Sequence, residues 1–284
     1  MKKVLYACAL ILGLWSCSDT YDEPLPEYES ELMVEAYINQ ANPFLNYALL
    51  TKSIDYDGQS PNVPGVSGAK VTLYEGVKEG TELKWNESGI EYQAVDSVPG
   101  LYFPPIELLF LATEGAYYKL VVEAEGIVTT AVTQVPVLVE MDSLWVDYVY
   151  NEKVDSIQAF LKFSFSDPEA FGNHYLIHDY RGAENEWPLL WGALDLEVIT
   201  DDIFFNGQPF VYSEVFPRRW GDTTNFYLSS ITRETHDFWE SYENSRDNGG
   251  PFSQPINVNS TFDNSRGIFQ GMAVDTRRII VQKP

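Results

Sequence analysis

The side chains with the most reactive chemistry are few: the 284-residue chain has three histidines and two cysteines. His174 and His178 stand four apart in a segment that reads as a strand. At about 3.3 Å per residue that separates them by about 13 Å, too far to grip one ion. They are expected to be surface or cross-strand histidines. His236 precedes Trp239 by three residues in a helical stretch and is expected to be structural. The sequence has no Gly-x-Ser-x-Gly elbow, no His-Glu-x-x-His helix and no phosphate-cradling glycine loop. Its 42 acidic residues make a carboxylate pair at glycosidase separation a chance event. No catalytic residue is nominated, and an enzyme is not expected. The acidic runs Asp55-Tyr56-Asp57-Gly58 and Asp201-Asp202 offer oxygen ligands of the kind Ca²⁺ takes, but neither has the alternating spacing of a calcium loop. The expectation is solvated turns, with no metal and no cofactor beyond a covalent lipid.

That lipid is implied by Cys17. Met1-Lys2-Lys3, an apolar run from Val4 to Trp15 and a small residue, Ser16, make up an export signal over residues 1–16 that is too short to span a bilayer. Leu14-Trp15-Ser16-Cys17 resembles a lipobox, in which the cysteine becomes a lipidated N-terminus. Each buried methylene contributes about 0.8 kcal/mol, so two or three acyl chains such as palmitate make a stable anchor. Cys8 lies in the removed segment, which leaves no thiol for catalysis or metal binding. Residues 17–30, with Asp19, Asp22, Glu23, Pro24 and Pro26, read as an acidic, proline-stiffened tether. Acidic residues just after the cysteine also resemble a surface-export signal. The expected location is the outer membrane, lipid-anchored and facing the cell surface.

The formal charge is −24, and removing Lys2 and Lys3 leaves 16 basic against 42 acidic residues, a charge of −26. Nucleic acid is therefore excluded as a partner, because such binding depends on cations set against phosphates. With 45% hydrophobic and 14% aromatic residues the acidity belongs to a folded protein. Trp187, Trp191 and Trp220 lie in a turn-rich stretch and are the candidate binding residues. An exposed aromatic face stacks on a sugar ring or anchors in a partner's pocket.

The elements that must position these residues are mainly β. Leu32, Val34, Ala36 and Ile38 alternate with Met33, Glu35, Tyr37 and Asn39, the period-two pattern of a sheet with one buried face. Turn signals follow at short intervals, and Glu125-Gly126 between two Val-rich runs predicts a hairpin. Residues 31–136 thus read as an Ig-like β-sandwich. Residues 137–284 read as a second β-rich sandwich domain with one packed helix near 232–245. In it Ile157, Ala159, Leu161, Phe163 and Phe165 share one face of a strand. The helix carries Phe238, Trp239 and Tyr242 on one face, with Thr232 as N-cap. The apolar run Ile106 to Ala112 predicts a buried strand.

Three late stretches carry a family resemblance: Asn248 to Pro255, Asn257 to Ser260, and Asn264-Ser265-Arg266-Gly267-Ile268-Phe269-Gln270-Gly271. Together they resemble the C-terminal signature of the domain of unknown function 4249 family of Bacteroidota lipoproteins, with Ser265-Arg266 departing from its pattern. Thr200 to Gly207, the aromatic helix and Val66 to Leu73 agree. The resemblance implies company with TonB-dependent outer-membrane transporters. It carries no catalytic residue. The functional expectation is a non-catalytic binding or accessory lipoprotein tied to a β-barrel nutrient transporter. A structural or assembly subunit is the second reading, and a glycan or peptide hydrolase the third.

Overall fold

The computed structural model describes residues 29–54, 63–181, 195–248 and 256–284. The signal segment, Cys17, most of the tether, Asp55 to Gly58, Trp187 and Trp191 lie outside the described residues. The first unit contributes β1 (Leu32–Asn39), β2 (Tyr47–Lys52), β3 (Lys70–Glu79), β4 (Glu82–Trp85), β5 (Ile90–Ala94), β6 (Leu101–Phe103), β7 (Tyr117–Ala124) and β8 (Ile127–Gln134). The second contributes β9 (Met141–Asn151), β10 (Ser156–Ser166), β11 (His174–Arg181), β12 (Asp195–Asp201), β13 (Pro209–Ser213), β14 (Thr223–Ile231), helix α1 (Arg233–Asp247) and β15 (Arg266–Ile280). The fold is mainly β with one packed helix among the described residues, as expected.

A single hydrogen-bonded path runs β12-β11-β14-β15-β1-β2-β6-β5-β3-β7-β8, with β4 paired to β3, and β13-β10-β9 forms a second sheet. The boundary expected near residue 136 falls between β8 and β9. One sheet nevertheless crosses both units, because β1 pairs in parallel with the first half of β15, Met33 opposite Arg266 through Asn39 opposite Met272. β15 then continues alone beside β14, Met272 opposite Ile231 to Ile280 opposite Thr223. The path curls so that β8 lies on β15. Thr133 Oγ1 accepts the Gly271 N–H at 3.0 Å, and a Cβ on Gly271 would run into the Gln134 carbonyl. Between these layers sits the first core, including Val34, Ile38, Leu50, Val71, Leu120, Val122 and Phe269.

The three-stranded sheet covers one face of β11, β14 and the end of β15. Ala159, Leu161, Phe163 and Phe165 point inward and are fully buried, as the alternation predicts, whereas Ile157 is exposed beside the β9–β10 turn. Phe163 packs on Tyr212 and Phe226, and Phe165 on Tyr175, Phe205 and Phe210, with centroids 4.8–6.1 Å apart. A third core lies on the opposite face, around Tyr37, Tyr47, Leu176, Tyr227 and Met272, under Trp239 of α1. This explains a departure from the one-faced pattern of β1. Leu32, Val34, Ala36 and Ile38 are buried, but so are Tyr37 and Asn39, because the third core covers what alternation leaves to solvent.

Glu125 and Gly126, at φ of 52° and 82°, form the hairpin turn between β7 and β8. Two positive φ values match the right-handed twist of the flanking strands. The strand expected at Ile106 to Ala112 is corrected to a 3-10 turn and loop, with Ile106, Leu108 and Leu111 exposed. Pro104 and Pro105 precede it and lack the N–H that a sheet ladder needs. No helix among the described residues is long and apolar enough to cross a membrane.

Candidate functional site

Helix α1 is built as the sequence suggests. Thr232 Oγ1 accepts the Thr235 N–H at 3.3 Å, satisfying one of the free donors of the first turn. Spacings of three and four place Phe238, Trp239 and Tyr242 together. Phe238 stacks on Tyr242 at 6.4 Å, and both meet Trp239 edge-on at 5.3 and 5.7 Å. Beneath this aromatic face lies a cavity of about 1180 Å³, floored by β1, β15, β11 and β12.

Its lining mixes rings with hydrogen-bonding groups. Trp239 Nε1–H donates to Gln270 Oε1 at 2.8 Å, tying the helix to β15. On β1, Tyr37 Oη–H donates to Glu35 Oε1 at 2.6 Å. Burial pushes the Glu35 carboxyl up, against the opposing effect of the Tyr37 hydrogen bond. Burial first, then the Glu35 charge, holds the Tyr37 hydroxyl well above its usual range. His178 on β11 is fully enclosed, and burial pulls its imidazole down to about 4. At the rim Arg246 pairs with Glu243 at 2.5 Å and Arg266 with Glu31 at 3.3 Å. The rim thus presents ion pairs and no single-signed field.

Glu35 and His178 stand on separate parts of the cavity wall. His178 and Glu35 lie on β11 and β1 with β14 and β15 between them. Three strand spacings alone come to about 14 Å, and the register adds an offset along the strands: His178 is level, through Tyr227, with Thr276 of β15, whereas Glu35 is level with Ile268. What the cavity offers is a stacking face, an amide and a neutral imidazole, a lining suited to a ligand with an apolar side and uncharged polar groups.

A family model described as a domain of unknown function, DUF4249, matches residues 18–278. The chain belongs to this family. No curated protein matches the sequence. The DUF4249 stretches singled out from the sequence act here as architecture. Gly267 has a φ of +127°, and a Cβ there would strike the Val34 carbonyl, so β1 and β15 come together only around a glycine. Asp263 Oδ1 accepts the Thr130 N–H and the Thr129 hydroxyl, clamping the approach to β15 onto β8. In Thr200 to Gly207, the buried Asp202 accepts the Gly172 and Asn173 N–H groups at 2.9 and 3.1 Å. One oxygen of the Asp201-Asp202 pair considered for Ca²⁺ is thereby engaged by backbone.

The remaining sequence candidates scatter. Trp220 is 40% exposed and lies 6.1 Å from Tyr148 of β9, away from the cavity. Trp187 and Trp191 fall outside the described residues, whose flanks Arg181 and Asp195 both line the cavity. His174 opens β11 and His178 lies four residues further along it, so the two do not meet. The neighbour of His174 is instead His236 of α1, with ring centroids 5.0 Å apart. Sequence reasoning missed Glu35, Gln270 and this histidine pair. The only available signal was the presence of polar residues inside otherwise apolar stretches of β1 and β15.

A buried ionic cluster lies in the second core. The Arg218 guanidinium faces both Glu214 and Asp179, its Nε donating to both Glu214 oxygens at 2.8 Å, and Arg181 Nε reaches Asp179 at 3.4 Å.

Proposed function

We propose that the protein is a lipid-anchored, non-catalytic binding component of the outer membrane, facing the cell surface and serving a TonB-dependent nutrient transporter. The cavity under α1 carries this reading: it is large enough for a small organic ligand, and its wall sets an aromatic face beside hydrogen-bonding groups. The lipobox at Cys17, the acidic tether and the context that DUF4249 resemblance implies support the anchor and the location.

The test is extraction of native membranes in mild detergent. A β-barrel should copurify with the wild-type chain, and Cys17→Ala should move the protein to the soluble fraction. Trp239→Ala should keep the barrel but lose growth on the captured nutrient. Recovery of the wild-type protein alone would sink the proposal.

A second reading, an assembly subunit of an outer-membrane complex, is favoured by one observation. The exposed Ile106, Leu108 and Leu111 sit on a loop pinned beside exposed Phe44 by Asn46, whose Nδ2 donates to the Phe110 carbonyl at 2.8 Å. In that case deletion harms the envelope on every carbon source, and Trp239→Ala does nothing.

A further inference from the structure

The first turns of α1 bring together ligands from two elements that the sequence does not associate. His236 and Glu240 are one helical turn apart on the same flank, and Asp237 lies between them. The ligand atoms of His236, Asp237 and Glu240 all lie within 4.8 Å of one another. From the facing strand, His174 at the start of β11 brings a second imidazole to 5.0 Å from the His236 ring, tilted by 59°.

We infer that His236, Asp237, Glu240 and His174 form a site for a borderline divalent transition ion, Zn²⁺ being the natural occupant. Two imidazoles with one or two carboxylates are a donor set that suits zinc, which binds nitrogen and oxygen at about 2.0–2.2 Å in a tetrahedron. Donors on such an ion lie about 3.3 Å apart, so the three helical ligands close by about 1.5 Å at most, within the reach of side-chain rotation. The position on two elements has a physical purpose. An ion there would tie α1, the roof of the cavity, to β11, part of its floor.

Two features oppose the ion. The positive end of the helix dipole is near, and Arg233 reaches Asp237 at 3.8 Å. Both are outweighed, because the Arg233 side chain is 78% exposed and swings away readily, and the dipole contributes only about half a charge against two carboxylates. Calcium is disfavoured, since it takes six to eight oxygens and this site has two nitrogen donors. The site lies on a different flank of α1 from the aromatic face and does not depend on what the cavity binds.

The full chain, stripped with chelator, is titrated with Zn²⁺ by calorimetry and with Co²⁺ while the visible d–d bands are followed. One saturable equivalent and a four-coordinate Co²⁺ spectrum are expected. His236→Ala should weaken Zn²⁺ by at least about 100-fold and His174→Ala by at least about 10-fold, the range that even an outer ligand partner reaches. Zinc should raise the urea midpoint of the wild type and not that of His236→Ala. Should His236→Ala fail to fold, the exposed Glu240→Gln decides, with a loss of about 10-fold expected. Absence of saturable binding to the folded wild type, or an affinity unchanged by these substitutions, overturns the site.

Discussion

Three glycines separate the two reasons for which a protein needs glycine, and they yield a graded prediction. Gly126 has a positive φ of 82° and open space around its Cβ position. Alanine there meets only the left-handed backbone cost, about 1–2 kcal/mol. Gly271 has no positive φ, but a Cβ would press into the Gln134 carbonyl and lie 3.1 Å from Thr133 Cγ2. Forcing β8 off β15 is an overpacking cost of about 1–3 kcal/mol, and the Gly271 N–H to Thr133 hydrogen bond adds about 1 kcal/mol. Gly267 combines both, a φ of +127° and collision with the Val34 carbonyl on the parallel partner strand. Strain of about 1–3 kcal/mol and a clash of similar size give about 2–6 kcal/mol. Urea unfolding followed by tryptophan fluorescence, extrapolated to water, measures all three. The order of destabilisation should be Gly126→Ala, then Gly271→Ala, then Gly267→Ala. If Gly267→Ala costs no more than Gly126→Ala, then β1 does not run against β15 as described, and the link between the two units fails with it.

Further outcomes follow from the buried polar groups and the helix cap. The folded His178 imidazole, at about 4, binds a proton less readily than the unfolded one near 6.5, so its contribution is intact above 6.5 and lost as pH falls toward 4. The loss amounts to about 3 kcal/mol. Unfolding of His178→Gln should show a shallower decline over that window, and parallel curves would refute the assignment. Arg218→Met leaves Asp179 and Glu214 buried without their guanidinium and should cost about 3–5 kcal/mol; Arg218→Lys should recover only part, having no fork. Thr232→Ala should lower stability by about 1 kcal/mol, with helix content by circular dichroism falling most near the unfolding midpoint.

Local signals were legible where one residue type meets one local requirement. Thr232 capped its helix, Glu125-Gly126 turned its hairpin, and the aromatic alternation of β10 pointed to its core. Reading failed where partners are distant. β15 runs unbroken over Arg266–Ile280 because it passes from one partner, β1, to another, β14, and neither lies near it in sequence. His174 and His236 are joined by tertiary packing alone, and spacing along β11 drew attention to the wrong pair, His174 and His178.

The parallel seam between β1 and β15 also sets an order of events during synthesis. One edge of β1 finds β2 almost at once, but the other waits for a partner about 230 residues later. At roughly 5–20 residues per second that is a wait of about 10–50 s. Over that time the first half of the chain presents an apolar strand with an unpaired row of backbone donors and acceptors, a template for pairing with another copy. The vulnerability of this protein is therefore greatest before it is finished. A truncation that removes only the last nineteen residues, from Arg266 on, should leave the N-terminal half unable to close, however sound its own core.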